Sequence, residues 1–202
     1  MILKSSLILS ISALCLSCGT PNKKNTNVIG PKETITDTLT TSTPNILKPA
    51  APEGAVFGNF NGDNNQLFSH IANFNSHQEK TEIGFQDKDI KKLIVPKTLG
   101  GSLSLIELEG FDRDLLLFTA KLKDPNFNKY FLFVQRDGEW KPVINGFAIH
   151  KTNLTDTLIP IKIDPNNLRN ISRHYSVFNL DDSNENGYSW LLQSESVPIK
   201  NW

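Results

Sequence analysis

The sequence predicts an all-β fold, an antiparallel meander that forms a sandwich, a barrel or a twisted sheet with at most a short helix. Three observations predict it. From residue 54 onward, short runs rich in Phe, Ile, Val and Leu alternate with turn residues at spacings of about 8 to 12 residues. Asp-Gly and Asn-Gly pairs, which tolerate the positive φ angles of tight hairpins, separate some of these runs. No stretch shows the sustained 3.6-residue period of a long helix.

The clearest predicted unit lies between Lys129 and Lys151. Three apolar runs are separated there by Asp137-Gly138 and by Asn145-Gly146, which predicts a three-stranded meander. The other predicted strands, in chain order, are 55–60, 66–74, 82–85, 92–95, 102–109, 115–123, 157–163, 175–180 and 188–193.

Three segments carry more specific predictions. Residues 102–109 alternate between apolar and polar, which predicts one buried and one wet face. Residues 115–118 are apolar on both faces, which predicts a central strand. Residues 164–168 predict the start of a short helix, because Asp164 is a favourable cap and Pro165 suits the first helical position.

Composition and charge exclude some classes of function. The chain has 21 Lys and Arg against 21 Asp and Glu, a formal net charge of +0. No chain-wide basic excess exists to neutralise phosphates, so we expect no nucleic-acid partner. With 38% hydrophobic residues the composition is that of a globular protein, and a body of about 150 residues buries enough surface to fold without metal or disulfides.

Residues 1–18 have the features of a secretory leader. One Lys precedes an apolar run that is shorter than the roughly 20 residues needed to span a bilayer. Leu16-Ser17-Cys18-Gly19 resembles the lipobox of bacterial lipoproteins, including those of Bacteroidetes, in which the cysteine is lipidated and becomes the mature N-terminus. The resemblance implies a lipid on Cys18 that anchors the protein to a membrane. A plain secretory leader cut near Ser17 is the alternative.

Residues 19–52 predict a disordered tether between this anchor and a single β domain at 53–202. The segment is rich in Thr, Pro, Asn, Lys and Ser and has no apolar period of its own. Residues 19–24 match neither the Asp that holds such lipoproteins at the inner membrane nor the acidic cluster that favours surface export in Bacteroidetes. By this resemblance we expect a bacterial cell envelope protein at the periplasmic face of the outer membrane.

Two loops are candidate calcium sites. In the first, 58–65 resembles the start of an FG-GAP or VCBS-type repeat, which implies alternating oxygen donors at Asn59, Asn61 and Asp63. Leu67 stands where that motif has its final Asp, and one carboxylate with two amides is a weak donor set for Ca²⁺. An ordinary turn is the alternative.

The second loop, 181–188, is richer in oxygen. From Asp182 it fits D-x-N-x-N-G, the opening half of an EF-hand-like loop, but Gln193 stands where a bidentate Glu is expected. The candidate ligands of a calcium ion are Asp181, Asp182, Asn184 and Asn186. A solvated hairpin loop without any cofactor is the alternative.

No catalytic residues are assigned from the sequence. The four His residues lack metal-ligand spacing, and no nucleophile elbow, phosphate-binding loop or dinucleotide-binding glycine run occurs. The carboxylate pairs Glu107/Glu109 and Asp112/Asp114 would each share a face on a strand, but solvent-facing alternation explains the first pair. An enzyme such as a hydrolase of envelope polymers therefore remains only an alternative.

The leading hypothesis is a non-catalytic β domain that binds a protein or a glycan of the envelope. Tyr188 and Trp190 lie two residues apart on a predicted strand beside the acidic loop, so they share one face and are the first candidates for a binding site. An inhibitor or immunity-type lipoprotein is a further alternative. The sequence names no partner.

Overall fold

The computed structural model describes residues 50–200, and within this range the chain is all-β, as predicted. The predicted leader, Cys18, the tether up to residue 49 and Trp202 lie outside the described residues. Among residues 50–200, no helix combines the length and the apolar character needed to cross a membrane. The one short helix there is a 3₁₀ turn, Lys151–Asn153.

Twelve strands in the described range form three antiparallel sheets. The first sheet has the order β1-β2-β3-β4, with β1 Val56–Gly58, β2 Leu67–Asn75, β3 Lys80–Phe85 and β4 Leu93–Pro96. The central sheet contains β5 Gly101–Ile106, β6 Leu115–Lys121, β7 Phe127–Arg136, β8 Glu139–Pro142 and β9 Phe147–His150. The third sheet has the order β10-β11-β12, with β10 Ile161–Asp164, β11 Asn167–Leu180 and β12 Tyr188–Pro198.

The central sheet has core residues on both of its faces, and β6 shows why. Successive side chains of a strand point to opposite faces, and β6 is apolar at each of its first four positions. Leu115 and Leu117 join the core shared with the third sheet, whereas Leu116 and Phe118 join the core shared with the first sheet. The prediction that 115–118 form a central strand is therefore confirmed. Both cores are built from residues between Val56 and Ile199, so this part of the chain supplies its own core.

The predicted meander at 129–151 is half right. Asp137 and Gly138 both have positive φ, 53° and 75°, and they close the tight hairpin between β7 and β8. The prediction of a second hairpin at Asn145-Gly146 is wrong, because β9 pairs with β7 and not with β8. β8 lies along the C-terminal part of β7 and β9 along its N-terminal part, so the two are halves of one interrupted strand. Gly146 lies in this interruption against the Phe131 ring, where a Cβ atom would come within 2.8 Å.

The predicted helix at 164–168 is also wrong. The Asp164 carboxylate accepts a hydrogen bond from the Asn166 amide at 2.9 Å, which makes a tight turn, and β11 begins at once at Asn167. An Asp followed by Pro suits a turn as well as a helix start, and here the neighbouring strand decides between them. Strands β11 and β12 also extend beyond the predicted 175–180 and 188–193, which makes a long hairpin.

Candidate interaction surface

The β11–β12 hairpin has a single buried residue, Ile171, among the residues of its two strands. Its base is held to the central sheet by Ile171, which is fully buried, and by the half-buried Tyr175 and Val197. Pairing continues from Asn170 opposite Pro198 as far as Leu180 opposite Tyr188. The distal half of the ribbon therefore extends beyond the core that anchors it.

One face of the distal half is apolar and open to solvent. The register places Phe178 opposite Trp190 and Leu180 opposite Tyr188, and Leu192 follows on the same side. We call these five residues the aromatic face. Leu180 is 78% exposed and Phe178 is 55% exposed, whereas Trp190 is half-buried. The rings of Phe178 and Tyr188 stack at 5.3 Å between centroids, so the face presents a contiguous surface.

Trp190 fixes the hairpin against the central sheet. Its ring stacks on the His150 imidazole at 5.2 Å between centroids and receives the edge of Phe127 at 4.8 Å. The Ser176 hydroxyl accepts hydrogen bonds from the His150 amide at 2.8 Å and from the Asn153 side chain at 2.9 Å. These contacts hold Trp190 and the adjoining part of β11 in place on the central sheet.

The structure places the predicted pair Tyr188 and Trp190 on the aromatic face. Sequence reasoning missed Phe178, Leu180 and Leu192 as members of that face. Phe178 and Leu180 lie in a predicted strand, and their two-residue spacing from each other was visible. Their alignment with Trp190 and Tyr188 depends on the strand register across the 181–187 loop, which the sequence did not provide.

The loop 181–187, which we call the tip loop, contains the richer of the two candidate calcium sites. Its oxygens are engaged within the loop: Asp181 accepts hydrogen bonds from the amide and the hydroxyl of Ser183, and Asn184 accepts one from the Asn186 amide at 3.1 Å. The hydrogen bond from the Ser183 hydroxyl lowers the pKa of Asp181. Asp182 and Asn186 are exposed beside them.

The other candidate calcium loop has a fixed cation as its neighbour. Asp63 accepts hydrogen bonds from the backbone and side-chain amides of Asn65, both at 3.0 Å, and these lower its pKa. Asn59 accepts one from the Asn64 amide at 3.2 Å. The guanidinium of Arg113 lies next to Gly62, where a Cβ atom would be 3.1 Å from Nη2. The Arg113 side chain therefore supplies positive charge at this loop.

The acidic pairs Glu107/Glu109 and Asp112/Asp114 come together along one cleft. Its volume is about 470 Å³, and all four residues line it. Hydrogen bonds from Arg113 hold the pKa of the Asp112 carboxyl well below its usual range. The Asp114 carboxylate accepts a hydrogen bond from the backbone amide of Asn59 at 2.7 Å. Across residues 50–200, no group of three or more His, Cys, Asp or Glu side chains is arranged to hold a metal ion.

Comparisons with known proteins give no family assignment. No protein-family model, curated protein or solved structure matches this chain.

Proposed function

We propose that this protein is an envelope-anchored lipoprotein whose β domain is a non-catalytic binding module. The observation that carries the proposal is the aromatic face, a contiguous apolar surface on a projecting hairpin. Soluble proteins seldom leave large apolar side chains together in solvent, and such patches mark interaction sites. An aromatic cluster with two rotatable bonds per side chain also offers much contact area at low entropic cost.

The geometry of the surface favours a protein or a glycan as partner. Phe178 and Tyr188 offer ring surfaces that a sugar ring or an apolar side chain can stack upon. Because the face lies on a protruding ribbon and not in a pocket, it suits insertion into a groove of the partner. An inhibitor or immunity-type lipoprotein that blocks a lytic enzyme would use the same geometry.

The anchor and the tether complete the proposal. A lipid on Cys18 and a tether over 19–52 would hold the domain near the outer membrane on its periplasmic side and let it reorient toward its partner. Replacing Cys18 with Ser is expected to move the protein from the membrane fraction to the soluble periplasmic fraction and to abolish incorporation of labelled fatty acid. Retention in the membrane fraction without fatty acid would contradict the anchor.

The binding surface is tested with two exposed phenylalanines. Phe178 on the aromatic face and Phe74 on β2 are each 55% exposed, so Phe178→Ser and Phe74→Ser remove the same side chain from equally exposed sites. We measure sedimentation of the chain from Gly19 with purified envelope fragments, with and without their peptidoglycan. Phe178→Ser is expected to weaken binding by about 30-fold or more, as for a central interface residue, and Phe74→Ser to leave it unchanged. Equal binding by both variants would refute the assignment of the face.

A hydrolase of envelope polymers is the second candidate, favoured by the cleft that gathers Glu107, Glu109, Asp112 and Asp114. Acid catalysis on a glycoside needs a carboxyl whose pKa is raised, and the pKa of Asp112 is shifted the other way. Release of soluble fragments from peptidoglycan by the wild-type chain, lost in Glu107→Gln, would favour the hydrolase over the binding module.

A further inference from the structure

A cleft of about 920 Å³ lies at the base of the β11–β12 hairpin, at the end opposite to the aromatic face. One side of it is formed by residues 167–170 and 198–200, which belong to the third sheet or directly follow it. The other side is formed by residues 109–111, which connect β5 to β6, and by the last residue of β7. Cavities that bind small ligands measure about 300 to 1,000 Å³, so this cleft has room for one.

Positive charge is concentrated in this cleft, although the chain as a whole has a formal net charge of +0. Arg136, Arg169 and Lys200 line it, together with one carboxylate, Glu109. The Lys200 ammonium already donates a hydrogen bond to the Asn145 side chain at 2.8 Å, so we assign it no part in binding a ligand. The two arginines are the candidate anion-binding groups, and we call the site the arginine cleft.

The two arginines differ in how far their charge is already engaged. Nη1 of Arg136 lies 3.2 Å from the Asp112 carboxylate, which also pairs with Arg113 at 2.8 Å. Arg169 is exposed, and no Asp or Glu side chain within residues 50–200 forms an ion pair with it. A guanidinium binds a carboxylate through two parallel hydrogen bonds. Arg169 is therefore the main candidate for holding an anion, and Arg136 adds positive charge beside it.

A β-bulge forms part of the wall of the arginine cleft. Two consecutive residues of β10, Ile163 and Asp164, lie opposite Ile171 and Asn167 of β11. Residues 168–170 are thus left without a register partner on β10, and all three line the cleft. A bulge disrupts the ladder locally and re-aims side chains, and bulges are frequent beside functional sites. Backbone groups released from a ladder in this way can pair with the backbone of a peptide.

The floor of the arginine cleft is apolar. Phe111 and Ile199 line the cleft and pack against the core shared by the central and third sheets. Both side chains are only half-buried, so each leaves apolar surface within the cleft. An apolar group of a ligand that covers this surface removes it from water, which favours binding.

We propose that the arginine cleft binds a peptide that carries a carboxylate next to an apolar side chain. Arg169 and Arg136 bind the carboxylate, the apolar side chain packs on Phe111 and Ile199, and the peptide backbone pairs with the bulge at 168–170. A chain end and an acidic side chain offer the same carboxylate chemistry, and the probes described below separate these two sources.

The neighbouring acidic cleft limits the charge that the ligand can carry. The two clefts share Glu109 and Phe111, and the acidic cleft is also lined by Glu107, Asp112 and Asp114. These carboxylates repel any further negative charge on the ligand. A carboxylate carries one negative charge and a phosphate monoester about two, so the acidic cleft disfavours a phosphate more strongly. We therefore expect a peptide with one carboxylate and a neutral or basic remainder.

The inference does not depend on the proposed function. The aromatic face lies on the distal half of the hairpin, and none of its five residues lines the arginine cleft. Phe178→Ser is therefore expected to leave peptide binding unchanged. A failure of the peptide site and a failure of the proposed function are thus measured separately.

Three peptides test the ligand chemistry with the chain from Gly19. The first is acetyl-Ala-Ala-Leu with a free C-terminal carboxylate, and the second is the same peptide with a C-terminal amide. The third is acetyl-Ala-Asp-Leu amide, which carries its carboxylate on a side chain. In isothermal titration calorimetry at low salt, at least one carboxylate peptide is expected to bind about 10-fold or more tightly than the neutral one, because its hydrogen bonds are charge-assisted.

The tighter of the two carboxylate peptides identifies the source of the carboxylate. Equal binding of all three peptides, or absence of binding by all three, would overturn the proposal. Inorganic phosphate that binds as tightly as the best peptide would also overturn it, because the site would then select charge alone.

Matched charge variants test the role of Arg169. Arg169→Gln is expected to weaken binding of the best peptide by about 10-fold or more, and Arg169→Lys by a smaller factor, because Lys keeps the charge but loses the bidentate geometry. Lys162→Gln is the control, since it removes one positive charge from the same sheet. The register places Lys162 opposite Ser172, on the face of the sheet away from Ile171, so its loss should leave the affinity unchanged. Equal losses in Arg169→Gln and Lys162→Gln, or no loss in Arg169→Gln, would refute the inference.

Discussion

Substitutions on the two faces of β6 test whether the core beneath the β11–β12 hairpin unfolds together with the core of the first sheet. Leu116 and Leu117 are adjacent and both buried, but Leu116 packs toward the first sheet and Leu117 toward the third. Each Leu→Ala change removes three carbons, a transfer loss of about 2.4 kcal/mol at about 0.8 kcal/mol per methylene. The residual cavity raises the expected cost to about 3 to 4 kcal/mol for each variant. Leu192→Ala, at a 38% exposed position of the aromatic face, should cost about 1 kcal/mol or less.

The assay is urea unfolding followed by the fluorescence of single-tryptophan chains. Trp140 stacks on Phe85 at 4.6 Å in the core of the first sheet, and Trp190 reports on the hairpin. If the central sheet couples both cores, Leu116→Ala lowers the midpoint by about 1 to 2 M with either reporter. A Leu116→Ala chain in which the Trp140 transition moves and the Trp190 transition does not would refute the coupling, and the aromatic face would then belong to a separate folding unit.

Three further predictions follow from single sites. Gly101→Ala should cost about 3 kcal/mol or more in thermal unfolding, because φ is +156° and a Cβ atom would overlap the Thr119 carbonyl, whereas Gly110→Ala, with open space around it, should cost about 1 kcal/mol. Asp112→Asn should lower the free energy of unfolding by at most about 1 kcal/mol at pH 7, because the carboxylate is exposed. The pKa of Asp112 is lowered in the folded state, so the stability difference between the wild-type and variant chains should shrink as the pH falls below about 4. A constant difference down to pH 2 would contradict the ion pairing. Millimolar Ca²⁺ should raise the melting temperature by less than about 1 °C, because oxygens of the tip loop already accept internal hydrogen bonds; a rise of several degrees that Asp182→Ala abolishes would establish a calcium site.

Local chemistry made much of the fold predictable. The doubly apolar 115–118 follows from side-chain period alone, and the Asp137-Gly138 turn follows from two residues that accept positive φ. The alternation predicted for 102–109 holds within β5, but that strand ends at Ile106, short of the predicted end. The same logic failed at Asn145-Gly146, where the chain continues along β7 and makes no second hairpin. A turn-forming pair shows that the chain bends, but it does not show which neighbouring edge the next strand will reach.

The aromatic face was also predictable only in part from the sequence. The two-residue spacing of Tyr188 and Trp190 was enough to predict that they share a face. Its extension to Phe178 and Leu180 required the register across the tip loop, and the exposure of these side chains required knowing where the core beneath the hairpin ends.

The sequence by itself determined the β character of the body and its central strand, because strand period and turn chemistry act within a few residues. Only the tertiary structure decided that two sheets cover opposite faces of the central one, that β8 and β9 share an edge of β7, and that β11 and β12 pair in a register that aligns Phe178 with Trp190. Those features depend on contacts between residues far apart in the chain, whose pairing is selected by the burial of whole faces and not by local conformational preference.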